Sequence, residues 1–160
     1  MKKVIVSLCL VITATLTFIG CDKASGGKTS VLGVKISTLG GHKFEKMEMM
    51  GKTMYVTKLD LKNGFAANVN IFSDENKGTL PTMDEYVKGA VSQYKTIGTK
   101  MQVQSKTDDA VTISGTMGEM KLYQRLFRDS AKNRYIVVTG TYREDSDKAT
   151  IEQCVDSVEL

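Results

Sequence analysis

The later part of the chain carries a long stretch in which apolar and polar residues alternate, and this stretch restricts the folds open to it. Between Lys100 and Glu144 the apolar residues recur with a period of two, and short polar turns interrupt them at 108–109, 115–118 and 129–133. A period of two is typical of strands whose side chains alternate between two faces. Turns this short join antiparallel neighbours, because a parallel connection needs a dozen or more residues. We therefore predict successive antiparallel strands.

Two further segments extend this sheet. Thr53–Leu61 and Phe65–Phe72 alternate in the same way, and Asn63 and Gly64 lie between them. Asn-Gly favours a two-residue hairpin turn because both positions need a positive φ. The segment Tyr135–Glu144 has apolar residues on both parities, which predicts a strand covered on both faces at the centre of the sheet. Residues 31–53 show no clear period, and their structure is not assigned.

Two helices accompany the predicted strands. Thr82 and Glu85 form a capping-box pattern, and the apolar residues that follow are spaced by three and four up to Gly98. A second helix, capped by Ser146 or Asp147, is predicted at the end of the chain. Its buried face consists of Ile151, Cys154, Val155 and Val158, so Cys154 is predicted to be a small core residue. The fold class is α+β, an antiparallel sheet of about six strands packed with helices.

The beginning of the chain has the pattern of an export signal. Two lysines precede the 17-residue uncharged run Val4–Gly20, and Cys21 follows it. The run is shorter than the roughly 20 residues of a spanning helix, and a basic start before a short apolar run is typical of a signal peptide. The segment is similar to the bacterial lipoprotein signal, which implies that Cys21 is acylated and becomes the mature N-terminus. An ordinary cleaved signal and an uncleaved anchor are the alternatives.

These patterns divide the chain into three parts. Residues 1–20 are predicted to be the signal peptide, residues 21–31 the lipidated cysteine and a flexible tether, and residues 32–160 one folded domain. Removal of the signal takes away two lysines, so the formal net charge falls from +4 to +2. The remaining Lys and Arg residues alternate with Asp and Glu instead of forming a basic stripe. We therefore expect no nucleic-acid binding.

Four segments of the domain resemble the PsbP-like family, whose members include bacterial envelope lipoproteins of the DcrB type. The resemblance covers residues 53–160 and consists of Phe65–Ile71, Gly78–Leu80 followed by Asp84–Val87, Tyr135–Thr141 and Cys154–Val158. It implies an α+β sandwich with a binding or assembly role. The family supplies no catalytic residues to transfer to this chain.

The residues of the chain do not form a recognisable catalytic motif. His42 is the only histidine, and the sequence contains no Gly-x-Ser-x-Gly nucleophile elbow. The acidic segment Asp74–Gly78 does not lead into a calcium-binding loop, because the sixth position counted from Asp74 is not a glycine. We predict that the protein is not an enzyme and requires no cofactor.

A methionine-rich segment offers one alternative function. His42, Met47, Met49, Met50 and Met54 combine imidazole and thioether groups, which are ligands that Cu(I) accepts. Methionine is also a common filler of irregular cores, so packing against the sheet is the competing interpretation. A third interpretation is a pocket for an apolar ligand between helix and sheet.

The sequence thus predicts a lipoprotein of the cell envelope. It is expected to be anchored in the membrane through its N-terminal lipid, with the domain facing the periplasm or the cell exterior. The predicted role is to bind, or to help assemble, another envelope protein, which the sequence does not identify.

Overall fold

The computed structural model describes residues 27–49 and 51–160. The predicted signal peptide, Cys21 and Met50 lie outside these ranges. In chain order the described part forms β1 (Lys28–Val31), β2 (Val34–Ser37), β3 (Glu45–Met49), β4 (Lys52–Lys58), β5 (Asn68–Glu75), α1 (Met83–Thr96), β6 (Lys100–Lys106), β7 (Ala110–Met117), β8 (Met120–Asp129), β9 (Arg134–Tyr142) and α2 (Asp145–Asp156).

The main sheet is antiparallel and has seven strands in the order β3-β4-β5-β9-β8-β7-β6, while β1 and β2 form a separate hairpin. This arrangement confirms the α+β class. The predicted number of about six strands was too low because β3 lies in the segment that showed no period. Its charged residues are exposed, as expected of an edge strand: Glu45, Lys46 and Glu48.

The strand β9 occupies the centre of the sheet, and every one of its residues is buried. Tyr135 and Val137 point to the face that α1 covers, and Ile136 and Val138 point to the face that α2 and the β1–β2 hairpin cover. Burial on both sides explains why its apolar residues occupy both parities, and it confirms the predicted position of this strand.

Two hydrophobic clusters result, one on each face of the sheet. The α1-side cluster joins the helix α1 to β4, β5, β6, β7, β8 and β9, and its largest fully buried side chains include Tyr86, Tyr135, Phe72 and Met54. The α2-side cluster joins α2 and the hairpin to the other face, and its apolar core includes Ile36, Leu39, Ile71, Ile136 and Ile151.

The first predicted turn and the first predicted helix are both confirmed. Asn63 and Gly64 have φ values of 50° and 75° between β4 and β5, which pair antiparallel. At the start of α1 the Thr82 backbone N–H donates to the Glu85 carboxylate (2.8 Å), and the Glu85 N–H donates to Thr82 Oγ1 (3.3 Å). The bond from the Thr82 N–H, together with the Thr82 hydroxyl that also donates to the Glu85 carboxylate at 2.8 Å, lowers the pKa of Glu85. Gly98 takes φ 77° directly after Ile97, the C-cap of the helix.

The predicted cap of the second helix was wrong. Glu144 occupies the N-cap position of α2, and no side chain caps the helix there. Asp147 is instead engaged in a tertiary contact, because its Oδ1 accepts from Lys62 Nζ at 2.7 Å. The carboxylate therefore ties α2 to the connection between β4 and β5.

The ordered domain also begins earlier than its predicted start at residue 32. The strand β1 occupies Lys28–Val31, inside the segment predicted as a tether. Val31 is buried in the α2-side cluster, and Lys28 forms an ion pair with Glu159 near the end of the chain. Lys35 and Glu159 exchange backbone hydrogen bonds of 2.9 Å in both directions, which fixes the hairpin against the segment after α2.

The contact between β9 and α2 depends on Gly140. A Cβ atom at this position would overlap Ile151 Cγ2 and would lie 3.0 Å from Val155 Cγ2, so a side chain here would push the helix away from the sheet. We expect Gly140→Ala to lower the free energy of unfolding by about 1–3 kcal/mol, as measured by urea denaturation followed by circular dichroism.

Gly78→Ala is the matched control, because the only atom near its added Cβ would be Asn76 Oδ1 at 3.8 Å. This control should change stability by no more than about 0.5 kcal/mol. Equal effects of the two substitutions would contradict the close approach of α2 to Gly140.

Candidate functional site

Three of the predicted site methionines lie on one face of the sheet. Met47 and Met54 are direct cross-strand partners on β3 and β4, and Met49 lies opposite Lys52. Met54 is fully buried in the α1-side cluster, and Met47 and Met49 pack against it while half-buried. The structure thus brings these thioethers to the side of the sheet that α1 covers.

His42 lies apart from these methionines. Its ring and the side chain of Leu59 flank Gly40, and Leu59 packs against the α2-side cluster. The ring Nε2 is 3.8 Å from Asp60 Oδ1, and the side chain is 46% exposed. Within residues 27–49 and 51–160, no group of three or more His, Cys, Asp and Glu side chains could hold a metal ion. The copper hypothesis, whose Met50 lies outside the described residues, stays a prediction.

Cys154 is buried where the helix pattern predicted it. Its Sγ donates to the Ser37 carbonyl at 3.0 Å, and burial raises the pKa of the thiol to about 12. The thiol is therefore protonated at neutral pH, whereas nucleophilic attack and metal binding require the thiolate. Cys154 contributes packing between α2 and the β1–β2 hairpin.

Buried polar side chains cross the face of the sheet that α1 covers. At their centre, Gln124 Nε2 donates to the Tyr94 hydroxyl at 3.1 Å and to Thr139 Oγ1 at 2.7 Å. Asn70 on β5 is the direct cross-strand partner of Thr139 on β9. We call this group the polar seam, and it comprises the buried Asn70, Tyr94, Gln124, Thr139 and Thr141 together with the half-buried Gln93 of α1, whose Oε1 is buried.

Three oxygen atoms of the polar seam are buried without a hydrogen-bond partner among the described residues: Asn70 Oδ1, Gln93 Oε1 and Thr141 Oγ1. Asn70 is only 6% exposed and Thr141 is 0% exposed, so bulk water has little access to these side chains. An unsatisfied buried polar group costs about 1–3 kcal/mol. The seam therefore has unused capacity to accept hydrogen bonds.

A second polar group fixes the beginning of α1 over the sheet. Asp74 on β5 accepts from the Tyr86 hydroxyl at 2.9 Å and from Lys52 Nζ at 2.7 Å. The ring of Tyr86 stacks on Tyr135 with centroids 3.7 Å apart, and the Tyr135 hydroxyl donates to the Pro81 carbonyl at 2.7 Å. Burial raises the pKa of Tyr135. These contacts set the position of the helix at one end of the seam.

The polar seam was missed at the level of sequence, although one signal was present. Asn68 and Asn70 share one parity of β5, and asparagine is depleted in strands. The alternation placed both on the face opposite Val69 and Ile71. Their pairing with Thr139 and Thr141 depends on the register between β5 and β9, which a single sequence does not contain.

The chain matches no known protein family, and no protein with a curated description matches it. Among the residues that the structure describes, none of the helices has the length and apolar character needed to cross a bilayer.

The raised pKa of Cys154 predicts a dependence of stability on pH. In the unfolded chain the thiol ionises near its ordinary value of 9.0, whereas in the fold it ionises near 12. Since the unfolded state loses this proton first, the stabilisation is complete below about pH 9 and is lost between about pH 9 and pH 12. We expect the free energy of unfolding to fall more steeply above pH 9 in the wild type than in Cys154→Ala.

Urea titrations of both proteins at several pH values up to about 9.5 measure this difference, since the tyrosines, which ionise near 10, are the same in both proteins. Cys154→Ala should be less stable than the wild type at pH 7 because it leaves a small cavity. If the free energies of unfolding of the two proteins changed equally with pH, the thiol would have the same pKa in the folded and unfolded states, contrary to this prediction.

Proposed function

We propose that the protein is a lipid-anchored lipoprotein of the cell envelope, with a PsbP-like domain that has a non-catalytic binding or assembly role. The observation that carries the anchor is the position of Cys21. An uncharged 17-residue run precedes it, and a short segment without large apolar residues separates it from β1. Acylation accounts for all three features together, whereas a disulfide with Cys154 accounts only for the cysteine.

The start of β1 at Lys28 supports a domain held close to the membrane surface. Lys28 is seven residues beyond Cys21, and an extended chain spans at most about 3.6 Å per residue. The N-terminal strand would therefore lie within about 25 Å of the acylated cysteine. A partner protein in the same membrane would be within reach of the domain.

The PsbP-like assignment is supported by the arrangement of the segments that carry the resemblance. Phe65–Ile71 leads into β5, Asp84–Val87 lies in α1, and Tyr135–Thr141 forms most of β9 at the sheet centre. Helices cover both faces of the sheet, as the resemblance leads one to expect for an α+β sandwich.

A binding role agrees better with the site chemistry than catalysis does. The buried Cys154 thiol is protonated at neutral pH, and the polar seam consists of amides and hydroxyls. Amides and hydroxyls orient and hold a bound group, but they do not exchange protons readily at neutral pH.

The anchor can be tested by metabolic labelling of cells that express the protein with a palmitate analogue. We expect Cys21→Ala to abolish the label. Cys154→Ala is the matched control, since it also removes one cysteine but should retain the full label. Label that persists in Cys21→Ala, or that disappears in Cys154→Ala, would contradict the assignment of Cys21.

The assembly role requires a separate experiment. Chemical crosslinking in the native membrane should recover one dominant envelope protein with the wild-type chain, and the yield should fall in Cys21→Ala as the domain loses its position. Recovery of abundant membrane proteins alone, in equal amounts with both chains, would contradict a specific partner.

A further inference from the structure

We propose that the polar seam is the floor of a binding site for a small neutral ligand that has an apolar chain and a head group with hydroxyl or amide donors. The N–H or O–H groups of the head group would donate hydrogen bonds to Asn70 Oδ1, Thr141 Oγ1 and Gln93 Oε1. The apolar chain would lie against Val56 and Met47. This inference deepens the binding role proposed above and does not depend on the lipid anchor.

The chemistry of the seam selects the head group. The three atoms without a partner are oxygen atoms of amides and a hydroxyl, so they favour a ligand that donates N–H or O–H groups. The seam residues carry no formal charge, which disfavours an anion or a cation in a buried location. A neutral head group with at least two donors satisfies these conditions.

The sheet register places two of the three acceptors close together. Asn70 is paired with Thr139, and Thr141 is two residues further along β9 on the same face. Diagonal neighbours of this kind lie about 7–8 Å apart, which is the span of a glycerol-sized group. One small head group can therefore reach Asn70 and Thr141 together.

Gln93 belongs to the same site because of its position on α1. It follows Tyr86 by seven residues, two helical turns, so both side chains lie on the same stripe of the helix about 10.5 Å apart. Tyr86 contacts Asp74, and Asn70 is four residues before Asp74 on β5, or about 13 Å away. Gln93 is thus at the level of Asn70 along the sheet.

The edge of the sheet next to the seam supplies the apolar surface. Val56 is the direct cross-strand partner of Asn70, and Met47 and Met49 lie on the edge strand β3. All three are half-buried and pack against the α1-side cluster. Methionine side chains adapt to irregular shapes, so they can close over an apolar chain without a preformed cavity.

The competing occupant of the seam is water. A buried water also donates hydrogen bonds to orphaned acceptors, but it makes no contact with the methionines. A ligand of the proposed kind would change the surroundings of Met47 as well as satisfy Asn70. The methionine methyl groups therefore distinguish the two occupants.

The test uses the full chain in zwitterionic lipid nanodiscs, labelled with ¹³C at the methionine methyl groups. The probe is 1-O-hexylglycerol, which is neutral and carries two hydroxyl groups and a six-carbon chain. We expect a saturable shift of the Met47 methyl signal. Glycerol alone and the dimethyl ether of the probe, which lacks donors, should each bind at least about tenfold more weakly.

Two substitutions remove seam acceptors at nearly constant volume. Asn70→Leu and Thr141→Val should each weaken probe binding by about tenfold, and each should raise the midpoint of thermal unfolding because an orphaned polar atom disappears. Thr112→Val is the matched control, a buried threonine on β7 whose neighbours along the strand, Val111 and Ile113, face the α1-side cluster. It should leave probe binding unchanged.

The outcomes separate ligand from water. Saturable methionine shifts that weaken in both seam variants support the proposal. No shift up to millimolar probe, equal binding of the dimethyl ether, or unchanged binding in both variants overturns it and leaves the seam as a water site. Loss of the palmitate label in Cys21→Ala is independent of these results, so failure of the anchor and failure of the ligand site can be told apart.

Discussion

The structure depends on a central strand that must be covered on both sides. Every residue of β9 is buried, so neither face of the sheet can be left to solvent, and each requires its own covering layer. Gly140 allows α2 to approach one face closely, while Thr139 and Thr141 on either side of it point to the other. One tripeptide thus contains both the glycine against which α2 packs and two residues of the polar seam on the α1 side.

The two faces serve different purposes. The α2 side is dominated by aliphatic residues, and its helix is tied down at one end by Asp147 and Lys62. The α1 side combines aromatic stacking and methionines with buried amides and hydroxyls, several of which lack partners in the described part of the chain. Such an arrangement sacrifices stability, since replacement of unsatisfied polar groups by apolar ones is commonly neutral or stabilising. Among the described residues, buried polar atoms without a partner also occur on the α2 side, at Ser73 Oγ and Arg125 Nε, so the α1 side differs in having several of them among neighbouring amides and hydroxyls.

The sequence predicted those features whose cause is local. The Asn63-Gly64 turn, the Thr82 capping box and the double burial of β9 each follow from residues adjacent in the chain. The features that the sequence did not predict depend on residues that are distant from one another in the chain. The strand β3 is a charged edge strand, and the side of the sheet on which its methionines lie is set by its pairing with β4. Asp147 does not cap α2 because it pairs with Lys62, which is 85 residues away in the sequence. The polar seam requires the register of β5 on β9, so no single segment could disclose it.

The closure of the β1–β2 hairpin by Glu159 has a consequence for the order of folding. Lys28 and Glu159 are 131 positions apart, and the backbone bridge from Lys35 to Glu159 joins the first hairpin to the last residues. A chain synthesised from its N-terminus must therefore leave β1 and β2 without their final contacts until the C-terminal residues have emerged. The first strand that the structure describes therefore gains its full set of contacts late. Loss of Glu159 and Leu160 would remove the Lys28 ion pair and the Lys35 bridge, while the packing of Val31 in the α2-side cluster would remain.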